Sequence, residues 1–264
     1  MKHYHILILG IICSIVTTVH AQTGLSVTPP RVYFTAGPGE AVKQQIQVTN
    51  VSKSNVLDLA LSLNDWQYDR LGENEILPPD SLQTSCAGWI GLGEQTYFSL
   101  QPGEKKDIEI TVQRPTNTGD IDVYTAMLFV SQINPVDDVD ATGAQIKVSV
   151  RSGIKLFVRS AKPRNVQLNI EHAKFDKTNG LLELRFKNEG DVWSNGDVVS
   201  NLLNTDNGAE LKLENQVFYT MPGDTRTLYI PVKKDLTAGN YIATVMLDAG
   251  DDYVEAAEIS FVYE

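Results

Sequence analysis

The sequence predicts an all-β protein of two immunoglobulin-like sandwiches in tandem, preceded by a cleaved signal peptide. Three observations carry this: short runs of alternating apolar and polar residues from Leu25 onward, a turn-and-strand series that occurs twice, and an apolar leader at the start. Each is taken in chain order.

Lys2 precedes an apolar run from Ile6 to Val19, and Val19-His20-Ala21 offers a small-residue cleavage site before Gln22. This is the pattern of a secretory leader over residues 1–21. Fewer apolar residues are present than the roughly 20 that span a bilayer, so retention as a membrane anchor is the lesser reading. The expected location is the periplasm, with no membrane span after cleavage. The formal net charge is −11, and loss of Lys2 makes it one unit more negative. That sign repels phosphate backbones and argues against nucleic acid as a partner. Cys86 is the sole cysteine beyond the leader. No intramolecular disulfide is therefore expected, and the bland reading is a small buried apolar side chain.

Period-2 alternation marks half-buried strands. It occurs at Ile46–Val48, Leu57–Leu63, Ile108–Val112, Ile146–Val150 and Leu182–Phe186, with turn residues at Gly37-Pro38-Gly39, Pro78-Pro79-Asp80, Pro102-Gly103 and Pro222-Gly223. No stretch has a convincing 3.6-residue apolar period.

The series Pro102-Gly103-Glu104, Ile108, Ile110, Val112, Gly119 returns 120 positions later as Pro222-Gly223-Asp224, Leu228, Ile230, Val232, Gly239. Upstream, Val48-Thr49-Asn50 and Phe186-Lys187-Asn188 each end a strand in Asn at a turn. Two copies of one strand-turn-strand unit suit two sandwiches. The boundary is expected near Ser160–Arg164, where Pro163 follows a long strand pattern over 144–158. The expected organisation is thus a leader over 1–21, a first domain over 22–160 and a second over 161–264. Residues 134–143, acidic and without strand periodicity, read as a mobile hairpin connection.

Catalytic chemistry is not legible. His172 is the sole histidine beyond the leader; it reads as a strand-end side chain, and no nucleophile accompanies it. One histidine and one cysteine do not make a zinc site. Asp137-Asp138-Val139-Asp140, and Asp248 with Asp251-Asp252, lack the alternating oxygen spacing of a calcium loop. They read as solvated acidic loops. No enzyme activity, cofactor or metal is expected.

The segment 144–159 has two readings on pattern alone. Ile146, Val148 and Val150 share one face and either enter their own domain's core or lie on an edge offered to a partner chain. An exposed apolar edge invites aggregation and is kept mainly for pairing. Core is the blander reading.

The run Ile154-Lys155-Leu156-Phe157-Val158-Arg159 resembles the segment joining the two domains of the PapD-like periplasmic pilus chaperones, and Pro30-Arg31-Val32-Tyr33-Phe34 resembles their first strand. The resemblance extends from about Leu25 to Arg159, and more loosely beyond. It implies a divergent member that binds incomplete fimbrial subunits by donor-strand addition and passes them to an outer-membrane usher. Arg31 and Lys155 then match the basic pair that anchors a subunit's C-terminal carboxylate. Ile146, Val148 and Val150 match the donated residues, and Arg159 the arginine that fixes the interdomain angle. That arginine commonly pairs with a glutamate, but the corresponding position here is Val123; Asp120 and Asp122 are candidate substitutes. The alternative is a non-catalytic surface or periplasmic adhesion or scaffold protein, which expects Ile146, Val148 and Val150 buried in their own domain. A secreted hydrolase using paired carboxylates is a third reading and needs a deep acidic cleft.

Overall fold

The computed structural model describes residues 24–139, 142–232, 236–250 and 253–264. The leader, Asp140 and Asp251-Asp252 lie outside the described residues. Those described contain no α-helix, only a single 3-10 turn at Ala87–Trp89, so the all-β reading holds.

The first sandwich contains β1 (Leu25–Thr28), β2 (Arg31–Thr35), β3 (Ala41–Asn50), β4 (Leu57–Tyr68), β5 (Asn74–Leu77), β6 (Ile90–Gly91), β7 (Tyr97–Leu100), β8 (Lys105–Gln113) and β9 (Val123–Gln132). A hairpin of β10 (Val136–Val139) and β11 (Gln145–Val148) follows, and β12 (Arg151–Arg159) completes the unit. One sheet runs β1-β3-β8-β6; the other runs β2-β12-β9-β4-β5, with β7 against β4. Pro29-Pro30 separates β1 from β2, and the chain changes sheets there: β1 pairs with β3, whereas β2 runs parallel to β12. Proline has no N–H to leave unsatisfied at such a crossing.

The alternation read from sequence becomes the core between the sheets. Val32 and Phe34, Ile46 and Val48, Leu57 to Leu61, Ile108 to Val112, and Ile154, Leu156 and Val158 meet there with Cys86. Burial pushes the Cys86 thiol well above its ordinary range, as expected of an inert core side chain. Strand β9 is different. Tyr124, Ala126, Leu128 and Val130 enter that core, while Val123, Met127 and Phe129 are buried on its other face with Trp66 and Phe157. Covering both faces explains its nearly continuous apolar sequence.

The second sandwich contains β13 (Leu168–Asp176), β14 (Leu181–Asn188), β15 (Ser194–Asn204), β16 (Glu210–Lys212), β17 (Gln216–Thr220), β18 (Thr225–Pro231), β19 (Gly239–Asp248) and β20 (Val254–Tyr263). Its sheets are β13-β14-β18 and β16-β15-β19-β20, with β17 against β15. Leu182, Leu184, Phe186, Leu202, Phe218, Ile230, Ala243 and Val245 form its separate core. His172 lies inside β13 rather than at its end; the register shifts between Ile170 and His172, a bulge that takes up Glu171.

The repeated sequence builds the same corner twice. Gly103 and Gly223 have φ of 78° and 84°, which glycine adopts without a Cβ penalty. Their N–H groups donate to the carbonyls of Asn50 and Asn188, at 2.9 Å in both cases. The N–H groups of Asn50 and Asn188 in turn donate to Glu104 O and Asp224 O. Both Asn side chains are fully buried. Asn50 Nδ2 donates to Leu100 O and Asn55 O, and Asn188 Nδ2 to Val192 O. Each Oδ1 accepts the N–H two residues on, from Ser52 and Gly190. A buried polar side chain is tolerated when so satisfied.

Two expectations about the segment before β12 are corrected. The long strand pattern over 144–158 is broken at Ser149-Val150, giving β11 and β12. Residues 136–139, read as irregular, form a strand, because their backbone pairs in register with Gln145–Val148. Main-chain hydrogen bonds define that strand, so it needs no apolar alternation.

Candidate functional site

Arg31 opens β2, and Lys155 stands opposite it in the parallel register with β12. The Lys155 N–H donates to Pro30 O at 3.2 Å, holding the two backbones together at this point. Odd-numbered positions of β12 (Arg151, Gly153, Lys155, Phe157, Arg159) face away from the first core, and Phe157 meets Trp193 of the second sandwich.

The cleft there is lined with aromatic rings from both sandwiches. Tyr33 stacks on Phe157 at 5.0 Å and on Trp193 at 4.9 Å, and Tyr68 lies 6.5 Å from Tyr219, nearly parallel to it. The Arg31 guanidinium lies 4.7 Å from the centre of the Tyr219 ring. Lys155 Nζ lies 4.0 and 4.1 Å from the Trp66 and Tyr68 ring centres and donates to Tyr68 Oη at 2.9 Å. Cations over ring faces are stabilised by the ring quadrupole. Burial, and then the charges of Arg31 and Arg226, push the Lys155 ammonium down to about 7. Burial also raises the Tyr68 hydroxyl to about 12, against the pull of Arg31 and Arg226. Asp224 acts on Arg226 and Tyr68, so Arg31 and Lys155 are the pair left suited to an anion.

Arg226, which the sequence reading missed, is a third cation in this cleft. It is buried and lies 4.8 Å from the Tyr68 ring centre. Its Nε donates to Tyr219 O at 2.9 Å, and its Nη1 donates to Asp69 O across the cleft. The one available signal was its phase: Arg226 alternates with Leu228 and Ile230, a cation on the apolar face of a strand. The Arg226–Asp69 contact belongs to a docked hairpin. Asp69 Oδ1 accepts the N–H groups of Leu71, Gly72 and Glu73, shaping the turn between β4 and β5. The Thr227 N–H donates to Arg70 O at 2.8 Å. Gly72, at φ 98°, approaches the Arg226 guanidinium so closely that any Cβ would collide with it.

Arg159 lies directly across from Val123 in the β9/β12 register, and Val123 is buried with Trp66, Met127 and Phe157. The Arg159 guanidinium donates to Lys162 O at 3.0 Å. Asp122 meets the Lys162 ammonium at 3.7 Å.

The β10/β11 hairpin stands off the sandwich as its own two-stranded sheet. Ile146 is 38% exposed, and Val148 and Val150 are half-buried. None of the three joins the first core. Among the described residues, β11 pairs with β10 alone. The base of the hairpin is held by Gln132, whose N–H donates to Val150 O and whose Oε1 accepts the Val150 N–H. On β12, β2 covers only Lys155–Arg159. Among the described residues the edge from Gln145 to Ile154 is therefore open on one side, and it ends at Arg31 and Lys155.

Among the described residues, no group of three or more His, Cys, Asp or Glu side chains converges as a metal site, and no helix is long and apolar enough to cross a membrane.

No family model matches the chain, and no curated protein matches it. Solved structures do. The chain is similar to the class 5 fimbriae chaperone CfaA, with a TM-score of 0.50 at 11% identity over 90% of this chain and 98% of that one. It is also similar to a chain of the CsuC–CsuE complex of Acinetobacter baumannii, described as a chaperone with a tip adhesion subunit before assembly. That match has a TM-score of 0.50 at 16% identity over 89% and 97% of the two chains. At this identity the likeness is one of fold alone: two immunoglobulin-like sandwiches in tandem.

Proposed function

We propose that the protein is a periplasmic chaperone for pilus or fimbrial subunits, exported by its leader. The observation that carries this reading is the open strand edge from Gln145 to Ile154 that ends at two cations. A subunit sandwich lacking one strand has an exposed apolar groove. Adding the chaperone's edge closes that groove, with backbone hydrogen bonds supplying affinity and alternate side chains setting register. Ile146, Val148 and Val150 are the donated side chains in this reading. The subunit's terminal carboxylate takes charge-assisted hydrogen bonds from Arg31 and Lys155, stronger than neutral ones. The usher is the expected later partner, and no cofactor takes part.

The adhesion or scaffold reading expects Ile146 in its own domain's core, whereas its exposure favours the chaperone. The hydrolase reading needs an acidic cleft, whereas Arg31, Lys155 and Arg226 make this one basic.

Periplasmic co-expression with a candidate subunit tests the proposal. Arg31→Ala combined with Lys155→Met should abolish recovery of the subunit, the methionine keeping the stem that covers Trp66. Undiminished recovery overturns the anchor assignment.

A further inference from the structure

Beside the two cations lies an open depression of about 480 Å³, lined by Pro30, Arg31, Asn74, Ile76, Met127, Phe129, Gly153 and Lys155. Its floor is apolar. Met127 and Phe129 lean over β12 at Gly153, where an added Cβ would come within 2.9 Å of Met127 Sδ and 3.0 Å of Phe129 Cε1. Glycine there lets the two side chains close into one surface. Ile76, 39% exposed, forms the facing wall, and the Arg151 guanidinium caps the outer end, 3.4 Å from the Phe129 ring centre.

The ladder geometry says what reaches this surface. Strand β2 runs parallel to β12 and begins at Arg31, opposite Lys155. A strand added to the open edge in the same direction therefore lies in line with β2 and stops against Pro30. Side chains of paired strands alternate between faces with period two. Arg31 and Lys155 share the cleft face, so the added residue opposite Gly153, two positions earlier, points to that face as well. Its side chain lies over Met127 and Phe129 while its carboxylate meets the cations.

We infer that this depression is a side-chain subsite that selects a bulky apolar or aromatic residue at the C-terminus of the client chain, with Gly153 as the residue that determines this preference. The inference rests on the anchor reading above. It adds to that reading a chemical class for the terminal residue: an apolar side chain carrying a free carboxylate. A polar or charged terminal side chain would forgo the apolar contact with Ile76, Met127 and Phe129.

The test uses synthetic decapeptides with two N-terminal lysines, then alternating valine and threonine, ending in Phe, Leu, Gly or Asp as free acids, and in Phe as the amide. Binding is read by titration calorimetry. Phe- and Leu-ended acids are expected to bind about tenfold more tightly than the Gly-ended acid, the scale of discrimination a hydrophobic pocket supplies. Ile76→Ser, at an exposed position outside both cores, should bring that ratio toward one while leaving affinity for the Gly-ended acid unchanged, and Gly153→Val should likewise bring the ratio toward one. Equal binding of all four acids overturns the subsite and leaves the anchor standing. Equal binding of the Phe acid and its amide overturns the anchor instead.

Discussion

Val123 faces Arg159 directly across the β9/β12 ladder, so the arginine that ends the first sandwich meets an apolar side chain instead of a carboxylate. Its guanidinium turns to the Lys162 carbonyl. The relation between the two sandwiches is held elsewhere, where Arg226 reaches Asp69 O and Thr227 N–H reaches Arg70 O.

Arg226→Met should therefore weaken the junction far more than Arg159→Ala. Removing a buried charged donor that serves two carbonyls is expected to cost about 3 kcal/mol, against within about 0.5 kcal/mol for the partly exposed arginine. Calorimetry should resolve two unfolding transitions in Arg226→Met and leave Arg159→Ala close to the unaltered protein.

Under the proposed anchor, Lys155 makes both stability and client binding depend on pH. Its folded value of about 7 lies below the ordinary 10.5. Between those values the unfolded chain holds a proton that the folded chain lacks, so stability rises as pH increases from about 7 to 10.5. Binding has the opposite sign. A carboxylate beside Lys155 favours its charged form, so binding takes up a proton above pH 7. Affinity should then fall by up to about tenfold per pH unit. The groups facing the ammonium are Arg31 from β2, Tyr68 from β4 and Arg226 from β18. Denaturation and titration calorimetry at pH 6.5, 8 and 9.5 check both trends, and Lys155→Met should remove them.

Ile146→Thr and Ile154→Ala separate the hairpin from the core. Ile154 is fully buried, and its truncation is expected to cost about 3 kcal/mol. Ile146→Thr should alter stability by no more than about 0.5 kcal/mol yet reduce subunit recovery. A large loss of stability at Ile146 would place it in a core after all.

The paired corners predict matching losses. Asn50→Ala and Asn188→Ala each leave a buried carbonyl without its donor, at Leu100 and Val192, and each should cost about 2–3 kcal/mol. The two corners lie in different cores, so the double variant should show the sum of the two losses in denaturant unfolding.

How much of this was legible varied with the physics of each part. Strands such as Ile108–Val112 and Leu182–Phe186 were plain in the sequence because one buried face imposes alternation. The corners at Gly103 and Gly223 were plain because the turn demands a residue without Cβ. Strand β10 was not, since Val136-Asp137-Asp138-Val139 is defined by backbone pairing alone. Arg31 and Lys155 were reached through resemblance, because nothing local distinguishes them from solvated surface charges. Tyr68, Tyr219 and Arg226 come together from β4, β17 and β18, a convergence that no single segment encodes.

The turn between Asp69 and Glu73, docked on Arg226 and Thr227, makes the proposed recognition a property of the whole chain. Cutting the protein after Arg159 would not yield a smaller working module. The first half would keep its strand edge, but Arg31 would lose the ring beneath it, and Lys155 would lose Arg226, the lesser of its two neighbouring charges. On the proposed reading, what remained would still pair with a client along its length but would hold that client's end with a less firmly placed Arg31.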